Sequence, residues 1–280
     1  MKIQALYETV TQRIINELEA GTIPWTKPWK NVRVGGILPQ NAITAHAYRG
    51  ANIVILWAER HEKQYRTPFW LTFQQARERG GNVRKGEKGT AIVFTKKLTI
   101  KEEDEDKQIQ MLKCYYVFNL DQVDGIELPA ITHKPHEPHA FVKATGANIE
   151  IGPQAMYVPS KDFIAMPPKN AFISEAHYHA VTLHECVHWA GAENRLNRDL
   201  KGRYGSQAYA FEELVAEWGS SFLCAHLGIE GHLRHADYIA NWLQLLKSDD
   251  RALFRAASKA QQAADFLRAF SEETTDACES

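Results

Sequence analysis

The spacing of apolar positions divides the chain into a helical opening, a β-rich middle and a long helical end. Tyr7, Val10, Ile14, Ile15 and Leu18 recur at helical spacing and Gly21 follows as a stop, while Pro24 and Pro28 force the Trp25/Trp29 segment into an extended loop. Ile53, Val54, Leu56 and Trp57 predict a second helix, and Phe73, Ala76 and Arg77 a third, which the Gly80-Gly81 pair ends. Ala91–Thr95 and Tyr115–Asn119 read as paired strands joined by the charged run 101–107, expected to be a solvated loop tip. Ile149–Ile151 and Ala155–Val158 predict two further strands, with Pro159 closing the second. From Tyr178 to His188 no Gly or Pro interrupts a helical run, and Gly191 stops it. A following helix carries the stripe Phe211, Leu214, Val215, Trp218 and Phe222; two more are marked by Tyr238, Trp242 and Leu246 and by Leu253, Ala257, Ala260, Ala264 and Leu267.

This order of elements, strands and helices segregated along the chain, predicts an α+β protein, and 280 residues with 44% hydrophobic content suffice for two cores. The boundary falls at Pro129, Pro135 and Pro138, interleaved with His133, His136 and His139, a composition expected not to hold regular structure. The expected division is residues 1–125, a linker 126–139, and residues 140–280, folding as independent units. No apolar run approaches the ~20 residues that span a bilayer, and Met1-Lys2-Ile3-Gln4 opens a polar amphipathic stretch instead of a signal peptide, so a cytoplasmic protein with no membrane partner is expected. Cys114, Cys186, Cys224 and Cys278 show no paired spacing and are expected to be reduced thiols.

A net charge of −1 conceals an asymmetry: Met1 to Lys101 holds 17 Lys/Arg against 7 Asp/Glu. Basic residues coat any soluble surface, but here Trp25, Trp29, Tyr48, Trp57, Tyr65, Phe69, Trp70 and Phe73 are interleaved with them. Stacking platforms beside phosphate-binding cations hold single strands without reading sequence, which makes single-stranded DNA the expected partner. Arg49, Arg84, Lys85 and Lys88 are the expected DNA contacts, although several of the aromatic side chains must be core.

The segment His184-Glu185-Cys186-Val187-His188 supplies the chemistry. Residues four apart on a helix lie about 6 Å apart on one face, so both imidazoles reach one ion with Glu185 alongside. Such a string also occurs on ordinary surface helices; the flanking apolar residues place this one in the interior, where two His and a Glu need partners. Glu213 and Glu217 share a small-residue face of the next helix with Ala210, Ser220 and Cys224. Glu213 is therefore assigned as third ligand and Glu217 as its neighbour behind the ligand shell, with the exchange of the two as alternative. A divalent ion, Zn(II) foremost, held by three protein groups keeps an open position for water, and Glu185 is the expected general base. His177, His179, His226, His232 and His235 are read as packed or surface residues.

Tyr157-Val158-Pro159, the metal motif with Trp189, Arg195-Leu196-Asn197-Arg198 and Glu212-Glu213-Leu214-Val215-Ala216-Glu217 resemble the zincin-like, gluzincin-type metallopeptidase domain of ArdC-type antirestriction proteins. Gly21-Thr22-Ile23-Pro24-Trp25 with Pro28-Trp29, Tyr48-Arg49-Gly50-Ala51-Asn52, Trp70-Leu71-Thr72-Phe73-Gln74-Gln75-Ala76, Val83-Arg84-Lys85-Gly86-Glu87-Lys88 and Val117-Phe118-Asn119 resemble that family's N-terminal single-stranded-DNA-binding domain. The resemblance implies a plasmid-type protein that shields incoming DNA from host restriction during conjugation, with a host restriction-associated protein as possible target of the metal site. Two other readings stay open: a metallopeptidase for which DNA binding provides only localisation, and a DNA-binding protein whose metal site is structural. A kinship with the plasmid TraC primases, which share the N-terminal domain, is a third.

Overall fold

The computed structural model describes residues 3–23, 25, 38–102, 105–127, 137–203, 205–229 and 238–276. Helix α1 (Ile3–Glu19) buries Leu6, Val10, Ile14, Ile15 and Leu18, the stripe read from the sequence. Strand β1 (Gln40–Asn41), helix α2 (Ala51–Lys63) and strand β2 (Phe69–Leu71) follow, β1 and β2 pairing in parallel. Helix α3 (Phe73–Glu78) starts at a capping box in which Thr72 and Gln75 satisfy each other's backbone N–H groups. Then come β3 (Asn82–Val83), β4 (Thr90–Glu102), β5 (Glu105–Asn119) and β6 (Val123–Asp124), with sheet order β1-β2-β5-β4 and a separate β3-β6 pair.

Two expectations are corrected here. The charged run is mostly strand: β4 and β5 stay in register out to Glu102 opposite Glu105, with Lys101 opposite Asp106. The expected linker also ends early, because Pro138 opens helix α4 (Pro138–Ala144), where its missing N–H costs nothing and Glu137 caps the first turn. Pro129, His133, Pro135 and His136 lie outside the described residues.

The second sheet consists of β7 (Ile149–Ile151), β8 (Met156–Val158) and β9 (Phe163–Met166) in the order β7-β9-β8, which leaves β8 at an edge. The central strand β9 was not legible beforehand, because a strand covered on both faces loses its polar alternation and Ile164, Ala165 and Met166 are all buried. Helices α5 (Glu175–Ala190), α6 (Gln207–Leu227), α7 (Ile239–Ser248) and α8 (Ala252–Asp276) complete the chain. Among the described residues no helix is long and apolar enough to cross a membrane.

One apolar core runs through both halves. Trp57 of α2 packs on Phe222 of α6 at 5.8 Å, Tyr7 of α1 packs on Phe254 of α8 at 4.4 Å, and the Gly50 N–H donates to Gln261 of α8 at 2.9 Å. The two halves thus share an apolar interior. Calorimetry of the metal-free chain should show one unfolding transition, and Trp57→Ala should lower its stability by about 3–5 kcal/mol without splitting that transition. Two separated transitions would restore the independent-unit reading.

Candidate metal centre and candidate nucleic-acid interface

Helix α5 begins at Ser174, whose hydroxyl accepts the His177 N–H, and it carries His184, Glu185 and His188 in its last two turns. Helix α6 begins at Ser206 in the same manner and can approach α5 closely. Gly219 makes that possible, since a Cβ there would lie 2.8 Å from a methyl of Val187, and the Ser220 hydroxyl donates to the Ala180 carbonyl at 2.8 Å. Gly191 acts through space as well: it is not left-handed, but a Cβ would collide with the Arg198 guanidinium 2.7 Å away.

The crossing brings His184, His188 and Glu213 together. His184 Nε2 lies 3.2 Å from His188 Nε2 and 3.4 Å from Glu213 Oε2, and His188 Nε2 lies 3.6 Å from Glu213 Oε1. Three ligands on a tetrahedral ion with bonds of ~2.0–2.1 Å stand about 3.3–3.4 Å apart; the two imidazole nitrogens already lie at that separation, each with a different Glu213 oxygen close by, so the cluster suits a divalent metal ion once a single carboxylate oxygen turns to it. Glu217 lies on the other side of His184, with Oε2 3.9 Å from Nδ1. Glu185 sits outside the triangle; its Oε2 accepts the Tyr157 N–H of edge strand β8 at 2.8 Å. A cleft of about 500 Å³ opens over these residues, lined also by Gln154, Met156, Tyr209 and Tyr238.

Two residues with a part in this geometry were missed by sequence reasoning. Glu212 accepts from His188 Nδ1 at 3.1 Å, which fixes the tautomer with its lone pair on Nε2, and Arg198 holds Glu212 through bonds of 3.0 and 2.7 Å. The signal was a charged residue just before Glu213 on a helix whose faces are nearly all buried. Edge strand β8 is fastened separately: Arg195 pairs with Asp162, donates to the Tyr157 hydroxyl at 3.1 Å and lies over the Trp189 ring at 4.0 Å.

Burial disfavours a charged His188, but the Glu212 hydrogen bond and the charges of Glu213, Glu212 and Glu185 outweigh it and raise the imidazole to about 9. Burial likewise opposes ionisation of Glu213, yet the His184 hydrogen bond and both imidazoles hold it down at about 2. Burial pushes Glu217 up to about 7. Below about 9, then, a metal ion must displace a proton from His188, and apparent affinity should rise about tenfold per pH unit until it levels off near 9. The sign for the metal-free fold is opposite: a folded value above the ordinary 6.5 stabilises fully below 6.5, and that contribution is lost as pH rises through 9. Titrating metal calorimetrically at pH 7 in buffers of different ionisation heat should count about one proton released.

In the N-terminal half a groove of about 870 Å³ is lined by His46, Tyr48, Arg49, Phe94, Tyr115 and Val117, among others. Phe94 and Tyr115 stand edge-to-face at 5.4 Å and are 47% and 44% exposed, unusual for large rings on a sheet. Asn52 exchanges two hydrogen bonds with the Val93 backbone, at 2.7 and 2.9 Å, which fastens α2 to β4 beside them. Of the four basic residues expected at DNA, Arg49 lines this groove and pairs with Asp265 of α8. Arg84, on the turn before β4, pairs with Glu87 of that turn and with Asp124 of β6, and Lys85 and Lys88 beside it are exposed; these three do not line the groove. Trp57, Phe69 and Trp70 are core, and Trp25 is buried against Trp218. Trp29 lies outside the described residues.

Residues 4–118 match the family described as the N-terminal domain of anti-restriction factor ArdC, and residues 136–259 match a zincin-like metallopeptidase family. An uncharacterised Sinorhizobium fredii protein, y4eC, is 41% identical over 94% of this chain and 92% of its own length. An Escherichia coli DNA primase, TraC, is 38% identical over 95% of this chain, which spans 27% of that protein; the likeness thus extends through the metallopeptidase half as well. The crystal structure of the antirestriction ArdC protein from plasmid R388, metal-free, superposes with a TM-score of 0.81 at 43% identity, covering 96% of this chain and 98% of that one. Its Mn(II)-bound form gives 0.79 at 44% identity, covering 95% and 97%. With the helix pair, the edge strand and the aromatic groove all placed on a chain matched nearly end to end, this protein belongs to the ArdC family of antirestriction proteins.

Proposed function

We propose that this protein protects incoming plasmid DNA during conjugation by holding single strands in the Phe94/Tyr115 groove, and that its second half is a Zn(II)-dependent peptidase acting on a host restriction-associated protein. The observation that carries the hydrolytic reading is the clustering of His184, His188 and Glu213, with contacts of 3.2–3.6 Å, beside a sheet edge. A bound divalent ion would supply Lewis-acid activation of a water molecule. His184, His188 and Glu213 would hold it, while Glu212 and Arg198 keep His188 in the ligand tautomer. Glu185 spends Oε2 on Tyr157, which leaves Oε1 to take the proton from water. The exposed edge of β8 offers backbone pairing to an extended substrate chain.

The DNA reading rests on two half-exposed rings at the mouth of a groove in the basic half. The full chain should bind single-stranded oligonucleotides more tightly than duplex, with little sequence preference and a steep loss with salt. Equal affinity for both forms across a salt titration would remove this part of the proposal.

A further inference from the structure

Trp25 is the one described residue of the segment that follows α1 and Ile23, and its side chain ends at the metal centre. Its indole Nε1 donates to Glu217 Oε1 at 3.3 Å, and the other oxygen of that carboxylate lies 3.9 Å from His184 Nδ1. We propose that Trp25 is a positioning residue of the metal centre, holding Glu217 so that Glu217 orients the His184 imidazole. This rests on the reading of His184 as a metal ligand.

Packing makes the contact directional. Trp25 is 7% exposed, stands edge-on to Trp218 at 5.3 Å and lies tilted on Trp242 at 5.9 Å, which packs its ring beside the carboxylate. Glu217 is fully buried, and a carboxylate without water needs protein donors to keep one orientation. The choice of indole is selective: among the described residues, the buried N–H groups of Trp218 and Trp242, in the same aromatic cluster, have no hydrogen-bond partner. Groups that orient ligating imidazoles from behind typically govern about 10–100-fold in metal affinity. Trp25 belongs to the stretch matching the ArdC N-terminal domain, whereas His184 and Glu217 belong to the metallopeptidase match. The N-terminal half thus supplies part of the metal centre's support, and metal loading depends on how Trp25 is seated.

The test uses the full chain and Mn(II), with free ion read by electron paramagnetic resonance and coordination read from the visible bands of the Co(II)-substituted protein. Trp25→Phe keeps a ring in the cluster and deletes the donor; it should weaken Mn(II) binding at least ~10-fold and shift the Co(II) bands. Trp242→Phe disturbs the same cluster without touching Glu217 and should stay within about threefold of the parent. In a Glu217→Gln background, Trp25→Phe should add almost nothing, because the two act as one unit. Parental affinity in Trp25→Phe, or an equal loss in Trp242→Phe, overturns the proposal. If Trp25→Phe does not fold, the indole N–H signals of Glu217→Gln decide: an unchanged set across all seven tryptophans overturns the contact. A parent that takes up no Mn(II), or a His184→Ala protein that still does, overturns the metal-site reading itself; parental binding matched by Trp25→Phe overturns this inference alone.

Discussion

Replacing Phe94 and Tyr115 together by alanine should lower single-stranded-DNA affinity by ~30-fold or more, because each ring that stacks on a base contributes roughly 1–3 kcal/mol. Both rings stand on the β4–β5 pair near the groove mouth, half exposed, so their removal leaves no cavity in either half of the core. Thermal stability should therefore change little, and the weakening belongs to binding. The slope of log affinity against log salt should stay at the parental value, since every cation that neutralises a phosphate is still in place. Changing Arg49, the one of the four expected cations that lines the groove, to Gln should do the opposite, flattening the slope by about 0.7 for a phosphate left without its cation. Anisotropy titrations at three salt concentrations separate the two. An alanine pair with parental affinity would show that the groove is not where the strand lies.

Legibility in the sequence followed local physics. Helices α1 and α8 announced themselves because each buries one stripe against a distant partner, which period 3.6 records directly, whereas α2, α5 and α6 are buried on most faces and showed as apolar runs more than as stripes. The two- and three-residue strands β1, β2, β3 and β6 did not, being too short to show any period. The site divided in the same way. His184 and His188 were readable as a pair because one helix carries both. Glu213 and Glu217 were visible as candidates on a small-residue face, but which side of His184 each occupies depends on the crossing of α5 with α6 that Gly219 sets. Glu212 showed only as a charge on a helix buried on most faces and Trp25 not at all as a site residue, since their partners lie 24 and 192 positions away and no spacing rule connects them. The basic residues show the reverse failure: composition implied free cations, whereas Arg49 and Arg84 are paired with carboxylates that only the fold brings near.

Glu185→Gln should keep both metal and DNA while losing hydrolysis. Glu185 lies outside the ligand triangle, so stoichiometric metal should remain, and a Gln oxygen can still accept the Tyr157 N–H, so β8 keeps its place. The side chain can no longer take a proton from water, which should cost about 10²–10⁴-fold in any peptidase turnover. His188→Ala differs in kind: it removes a ligand and leaves the Arg198–Glu212 pair without its imidazole, so elemental analysis should find no bound metal. Conjugation into a restricting host then reads the mechanism. The expected result is that Glu185→Gln still protects transferred DNA, because coating a strand needs no turnover and no particular host substrate. Loss of protection by a Glu185→Gln protein that remains metal-loaded and binds single strands like the parent would instead assign protection to proteolysis at this site.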